Sequence, residues 1–233
     1  MATFTYTPDR PASESSKPRV LEVRFDNYEQ RDIFGINPFR DSWSLTFSNR
    51  SIADVAAIVD FLKARDGSEA FEWTTPFNET AQFICLNWDV TLESCNYRTV
   101  KAEFELCYEP GATNLAVPAG TATTFTWIPD FTADFGYKSN TKTFAFGDGY
   151  TGRIKFGINQ QAETWQLEFR NRDNTERDQI RTFLRQARGE TAFSWTDPLT
   201  SVAGKYICLE WSAQYNNYNN NNIQASFKRV FEP

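Results

Sequence analysis

Large apolar side chains fall on every second residue in Trp43-Ser44-Leu45-Thr46-Phe47, and again in Trp165-Gln166-Leu167-Glu168-Phe169. A period of two places them on one face, so each segment is predicted to be a strand with one buried side. Val100, Ala102, Phe104 and Leu106 alternate in the same way. Shorter strand-like stretches cover Thr3–Tyr6, Val20–Phe25, Ala70–Trp73, Phe83–Trp88 and Thr99–Tyr108. The second half offers Thr124–Trp127, Thr143–Phe146, Ala192–Trp195, Tyr206–Trp211 and Ile223–Phe231. Once in each half the period lengthens to that of a helix. Val55, Ile58, Val59 and Leu62 form one apolar stripe, and Ile180, Phe183, Leu184 and Ala187 another. Ser51 with Asp54, and Asp173 with Glu176, set a capping side chain three residues ahead of a carboxylate. Gly67 and Gly189 end the two helices.

The two halves are copies of one unit. At a constant offset of 122, 18 of the 44 positions from 34 to 77 are identical to their counterparts, far beyond chance. Phe34-Gly35-Ile36-Asn37 answers Phe156-Gly157-Ile158-Asn159, and Asn49-Arg50 answers Asn171-Arg172. Phe71, Trp73, Thr74 and Pro76 answer Phe193, Trp195, Thr196 and Pro198. Pro8-Asp9 returns as Pro129-Asp130, and Cys85-Leu86-Asn87-Trp88 as Cys208-Leu209-Glu210-Trp211. The offset drifts by single residues, as loop insertions produce. The expected organisation is a first repeat over 1–110, a small, polar, Gly/Pro-marked linker over 111–122 and a second repeat over 123–233. The expected fold class is mainly β: two antiparallel β-sandwich or barrel domains, each with one flanking α-helix.

Composition narrows the chemistry. The chain has 233 residues, 40% hydrophobic and 16% aromatic, enough to bury a core in each repeat. No apolar run reaches the roughly 20 residues of a membrane helix, and the first residues lack a basic and then apolar leader, so a soluble, non-secreted product is expected. Histidine is absent. Ser-His-Asp and Cys-His catalysis and His-ligated zinc are thereby excluded. Cys85, Cys95, Cys107 and Cys208 form no CxxC pair and are expected as reduced thiols; a Cys95–Cys107 bridge between neighbouring strands is the alternative. Glu103 and Glu105, two apart on one strand face, are a poor acid/base pair, and no other carboxylate pair is singled out. Gly147-Asp148-Gly149 is a hairpin turn rather than a phosphate loop. Asn216–Asn222 is a polar hairpin tip. Most of the seven tryptophans hold repeat-equivalent strand positions, which predicts core; a stacking platform for sugars is the functional alternative.

Charge separates the copies. The net charge is -6, against general binding of duplex DNA. Residues 1–110 carry 11 basic and 18 acidic side chains, whereas 123–233 carry 13 and 12. The second helix bears Arg177, Arg181 and Arg185 at i, i+4 spacing, one basic stripe, where the first helix has Val55, Val59 and Lys63. A solvated face is the plain reading. A face that meets a different neighbour in each copy is the functional one, and it makes Val55, Val59, Arg177, Arg181 and Arg185 candidates for inter-subunit contact.

Together, Phe146-Gly147-Asp148-Gly149-Tyr150 and the later Phe193, Trp195, Thr196 and Pro198 resemble the phage minor tail protein M family of lambda-like siphophage tail tips. The pattern covers nearly the whole chain, twice; in the first copy Phe25-Asp26-Asn27-Tyr28 replaces the glycine turn. The resemblance implies a tail-tube or distal-tail-like fold and a structural virion role, with no catalytic residue, no cofactor and no metal. It implies a ring between the distal end of the tail tube and the tip or baseplate hub, assembled in the host bacterial cytoplasm. If single-unit relatives form sixfold rings, a two-unit chain forms a pseudo-sixfold homotrimer, with a hexamer as the alternative. The partners so implied are the chain itself, the tube protein and the hub proteins. DNA would only pass through the lumen, and no membrane is involved. A carbohydrate-binding module for host recognition is the competing function.

Overall fold

The computed structural model describes residues 2–25, 28–33, 35, 37–108, 115, 118, 120–139, 141–155 and 161–231. Most of the expected linker, the Asp26-Asn27 turn and the Phe156–Asn159 motif lie outside the described residues. The first repeat runs β1 (Thr3–Phe4), β2 (Ala12–Pro18), β3 (Val20–Phe25), β4 (Tyr28–Ile33), β5 (Phe39–Ser51), α1 (Ile52–Lys63), β6 (Phe71–Thr74), β7 (Thr80–Leu92) and β8 (Tyr97–Leu106). The second runs β9 (Asp134–Ser139), β10 (Thr141–Ala145), β11 (Thr151–Lys155), β12 (Gln161–Arg172), α2 (Asn174–Ala187), β13 (Phe193–Thr196), β14 (Ala203–Asn217) and β15 (Asn220–Val230). The chain is mainly β with one flanking helix per repeat, as its pattern predicts. Pairing is antiparallel except where β1 lies parallel on β6, and Thr124, in place of the expected strand 124–127, makes a single parallel bridge to Ser194.

The repeated motifs have repeated jobs. β5 bulges between Phe47 and Arg50, and β12 between Phe169 and Arg172. Asn49 and Asn171 hold positive φ there, 53° and 55°, a conformation Asn tolerates better than most side chains. The bulge turns the next residue, an arginine, toward the chain entering the repeat. Arg50 reaches Asp9 at 2.9 Å and the carbonyl of Thr7, and Arg172 reaches Asp130 at 3.2 Å and the carbonyl of Ile128. Pro-Asp and Asn-Arg are thus two ends of one clamp, written twice. Both helices start as expected: the Ser51 side chain accepts from the Asp54 N–H and that of Asp173 from the Glu176 N–H. α2 ends at Ala187, with Arg188 in the left-handed cap position before Gly189, whereas α1 ends earlier than its glycine predicts, at Lys63, and a turn leads to positive φ at Asp66 and Gly67.

The apolar faces meet as aromatic clusters. Phe4 lies 5.1 Å from Phe104 and 5.3 Å from Phe61, and Phe125 lies 5.1 Å from Phe227 and 5.3 Å from Phe183, all edge to face. Such pairs add about 0.5–1.5 kcal/mol beyond the area they bury. Trp43, Trp73, Trp165, Trp195 and Trp211 are buried. All four cysteines are free thiols, and burial pushes Cys85 up to about 11 and Cys208 higher still.

The repeats do not form separate sheets. β2 leaves β5 on one side and takes β14 on the other, so the order β1-β6-β7-β8-β5-β2-β14-β15-β12-β9 runs unbroken through both copies. β13 joins on β14. The sheet carries α1 against β5 and β8, and α2 against β14 and β15. Two hairpins, β3–β4 and β10–β11, stand off it as ribbons of their own. Gly147-Asp148-Gly149 turns the second, with Asp148 and Gly149 both at positive φ.

Candidate functional site

The most distinctive chemistry of the molecule lies where the repeats join. Its backbone is the antiparallel ladder of β2 on β14, from Ala12 opposite Tyr215 to Ser16 opposite Trp211. Residues 12, 14 and 16 point to the same buried side, and two of the three are polar. This is why alternation does not betray β2 in the sequence: its inward residues are Ala12, Glu14 and Ser16.

Opposite them stands the arginine stripe of α2. Arg177, Arg181 and Arg185 are all buried, and the face they form belongs to the contact with the first repeat of the same chain. Arg181 grips Glu14 with two parallel bonds, Nε at 2.8 Å and Nη2 at 2.9 Å. The same guanidinium donates to Glu79 at 2.8 and 3.3 Å. Arg185 bridges Glu14 at 3.1 Å and Asp41 at 2.9 Å. The planar fork of arginine suits such bidentate pairing, and lysine would not reproduce it. Ser16 donates its hydroxyl to the other oxygen of Asp41. Arg177 is held by Asp178, Asn174 and Asn221, and lies 4.2 Å from the centre of the Phe77 ring.

Glu14 and Asp41 have no exposure at all, so this is an ion network inside the protein. Burial raises the Glu14 carboxyl above its ordinary range, with Arg181 and Arg185 pulling against it. Burial also acts on Glu79, but Arg181 prevails and its carboxyl is lowered. Leu115 and Pro118 of the connecting segment line, with Glu79, Asp178, Arg181 and Arg185, a cleft of about 310 Å³ over the network. At the rim Arg10 donates to Asn217, Lys17 pairs with Glu210, and Arg31 donates to the carbonyl of Glu190.

The structure does not bring Val55 and Val59 to this place. Val55 lies in the core of the first repeat, and Val59 is partly buried on α1. The asparagine run is indeed a hairpin tip, turning between Asn217 and Asn220, but Asn221 is wholly buried. Its amide donates to the Arg172 carbonyl and to Asn174, and its oxygen accepts from Arg177. Nothing in the composition marks that one asparagine out from its neighbours. Among the described residues no group of three or more Cys, Asp or Glu is placed to hold a metal ion, and no helix is long and apolar enough to cross a membrane.

Gly189 shows how close the repeats sit. It holds φ +68°, and a Cβ there would lie 2.8 Å from Cβ of Pro18 across the junction. Gly149 holds φ +78° with open space around it. Gly149→Ala is therefore expected to cost only the backbone penalty, about 1 kcal/mol, and Gly189→Ala about 1–2 kcal/mol more. Equal losses in thermal unfolding would mean that Pro18 is not packed against the helix end.

Comparison with known proteins repeats the duplication. A family model described as phage minor tail protein matches residues 2–108 and, again, residues 123–231. Over 91 residues the chain is 28% identical to tail tip protein M of Escherichia phage lambda, a match that spans 39% of this chain and 83% of that protein.

Proposed function

This chain belongs to the phage minor tail protein family, and from that membership we propose that it forms a ring at the tail tip, joining the distal end of the tail tube to the tip or baseplate hub. The ring is a homotrimer of pseudo-sixfold symmetry, each chain filling two of six places with 1–110 and 123–233. Its neighbours are the tube protein on one side and hub proteins on the other, and DNA passes through the lumen. The chain assembles in the host bacterial cytoplasm, enters the virion as a structural part and performs no catalytic step.

One observation carries this reading. The two repeats are joined head to tail: the β2 side of the first meets the β14 and α2 side of the second. The surfaces in contact are different surfaces of the same unit. A heterologous contact of that kind closes into a ring if its rotation divides the circle. The glycan-binding alternative has no such support, since the tryptophans that prompted it are mostly core.

Light scattering after size exclusion, with negative-stain images, tests the ring. The expected species is about 80 kDa, three times the 26.8 kDa chain, with six lobes. A hexamer of chains would break the symmetry argument. A monomer that also fails to bind the ends of isolated tail tubes would overturn the reading.

A further inference from the structure

We propose that the ring closes by pairing β9 of one chain with β7 of the next, through an apolar counterpart of the charged junction inside the chain. This rests on the ring reading above and names its contact.

The repeats supply the register. Glu14 of β2 lies opposite Trp43 of β5, and Phe135 of β9 lies opposite Trp165 of β12, so Phe135 stands where Glu14 stands. Trp88 of β7 faces Ala102 as Trp211 of β14 faces Ala225. In β14 the stretch Trp211–Tyr215 takes β2 as its second neighbour. The matching stretch of β7, Trp88–Leu92, has β8 on one side and, among the described strands, none on the other. The outer edge of β9 is likewise without a strand among those described. Among the described strands, the Trp88–Leu92 stretch of β7 and the outer side of β9 are therefore two open stretches whose counterparts are already joined to each other within the chain. Carrying that register across puts Val90 opposite Phe135, Thr91 opposite Asp134 and Leu92 opposite Ala133.

The side chains change together. Inside the chain Arg181 meets Glu14 and Glu79, and Phe77 meets Tyr215 with rings 6.1 Å apart. At the corresponding outer positions Val59 of one chain would meet Phe135 of its neighbour, beside Val202, and Leu199 would meet Leu92. Leu92 and Leu199 are 70% and 69% exposed, costly in a lone molecule and explained if each covers the other. Lys63 and Glu163 stand in the places of Arg185 and Asp41, although Glu163 is already held within its own chain by Arg229 at 2.6 Å. The first hairpin shows the same asymmetry. β3 and β4 rest on the second repeat through Glu22 to Lys228 at 2.7 Å and Arg31 to Glu190, whereas β10 and β11 are exposed along almost their whole length. The second hairpin would rest on the first repeat of the next chain.

The two chemistries also reject each other's partners. Seating the arginine face on Phe135 would bury Arg181 without its bidentate carboxylate, and seating Glu14 on Val59 would leave that carboxylate with Lys63 alone. Head and tail of different chains can then join only at the apolar ends, and open edges that would otherwise aggregate are used.

Two changes test the contact in the full chain. Thr91→Cys with Asp134→Cys, on a Cys95→Ser background, places thiols opposite each other only in this register, and mild oxidation should link chains covalently into trimers. Phe135→Glu, on an exposed edge, should raise the concentration for half-assembly about 10-fold or more, because its carboxylate is buried without the bidentate partner that Arg181 gives Glu14 and has only Lys63 in reach. Adding Val59→Arg restores the inner pairing and should recover most of the assembly. If the unmodified chain makes rings while the thiols stay unlinked and Phe135→Glu assembles normally, this contact is wrong and the ring reading stands. If the unmodified chain makes no ring even on tail-tube ends, the ring reading and this contact fall together.

Discussion

Arg181→Ala should destabilise the protein by about 3–5 kcal/mol, as loss of one partner from a buried ion pair does. Glu14 has no exposure, and Arg181 supplies two of the three bonds that arginines make to it. Without the guanidinium, Glu14 must stay charged with Arg185 alone or be protonated in place. Glu79 also loses its partner, but it is about a third exposed and water can replace the bond. The cost therefore falls mainly on Glu14. Removing both members tells network from packing. Arg181→Met with Glu14→Leu leaves Arg185 on Asp41 and should return to within about 1–2 kcal/mol of the parent, because an apolar pair of similar volume needs no desolvation. Urea unfolding followed by tryptophan emission measures both, and Trp211, 5.8 Å from each guanidinium, reports on the site directly. A double variant no better than the single one would show that Arg181 acts by filling space.

Phe104→Ala and Phe227→Ala should each cost about 3–5 kcal/mol, the usual loss for a buried ring cut to a methyl group. The two residues are repeat equivalents, both fully buried, each in contact with a phenylalanine from the start of its repeat and with a buried tryptophan. Similar neighbours should give similar losses. The more telling result is how unfolding proceeds. One sheet crosses both repeats and a buried ion network closes the seam, so either variant should lower the same single transition. Two transitions, only one of them shifted, would mean that the repeats unfold separately and that the seam adds little. Calorimetry separates the cases.

Much of this architecture is legible in the amino-acid sequence. The duplication, the alternating strands, the capped helices and the tryptophan core all depend on interactions a few residues long or on a face repeated along one segment. Asn49-Arg50 and Pro8-Asp9 visibly recur together, although only the bulge explains why. β2 and β9 are not legible. A strand at the border of a repeat takes its inward residues from whatever covers it, and β2 is covered by arginines, so its inward side is Ala12, Glu14 and Ser16 rather than an apolar row.

The arginine stripe marks the boundary between the two kinds of knowledge. Spacing alone places Arg177, Arg181 and Arg185 on one face, because helical periodicity is a local property. Whether that face meets water, another chain or its own chain depends on Glu14, Asp41 and Glu79, the nearest of them 102 residues away in sequence. The sequence by itself determined two β-rich repeats, since repeats and short-range patterns need no partner to be read, and its resemblance to a known family supplied the tail role. Only the tertiary structure decided that the repeats share one sheet and which surfaces join. Burial is a property of the folded neighbourhood, and the same charged helix face is cheap in water but, at this seam, must be matched carboxylate by carboxylate.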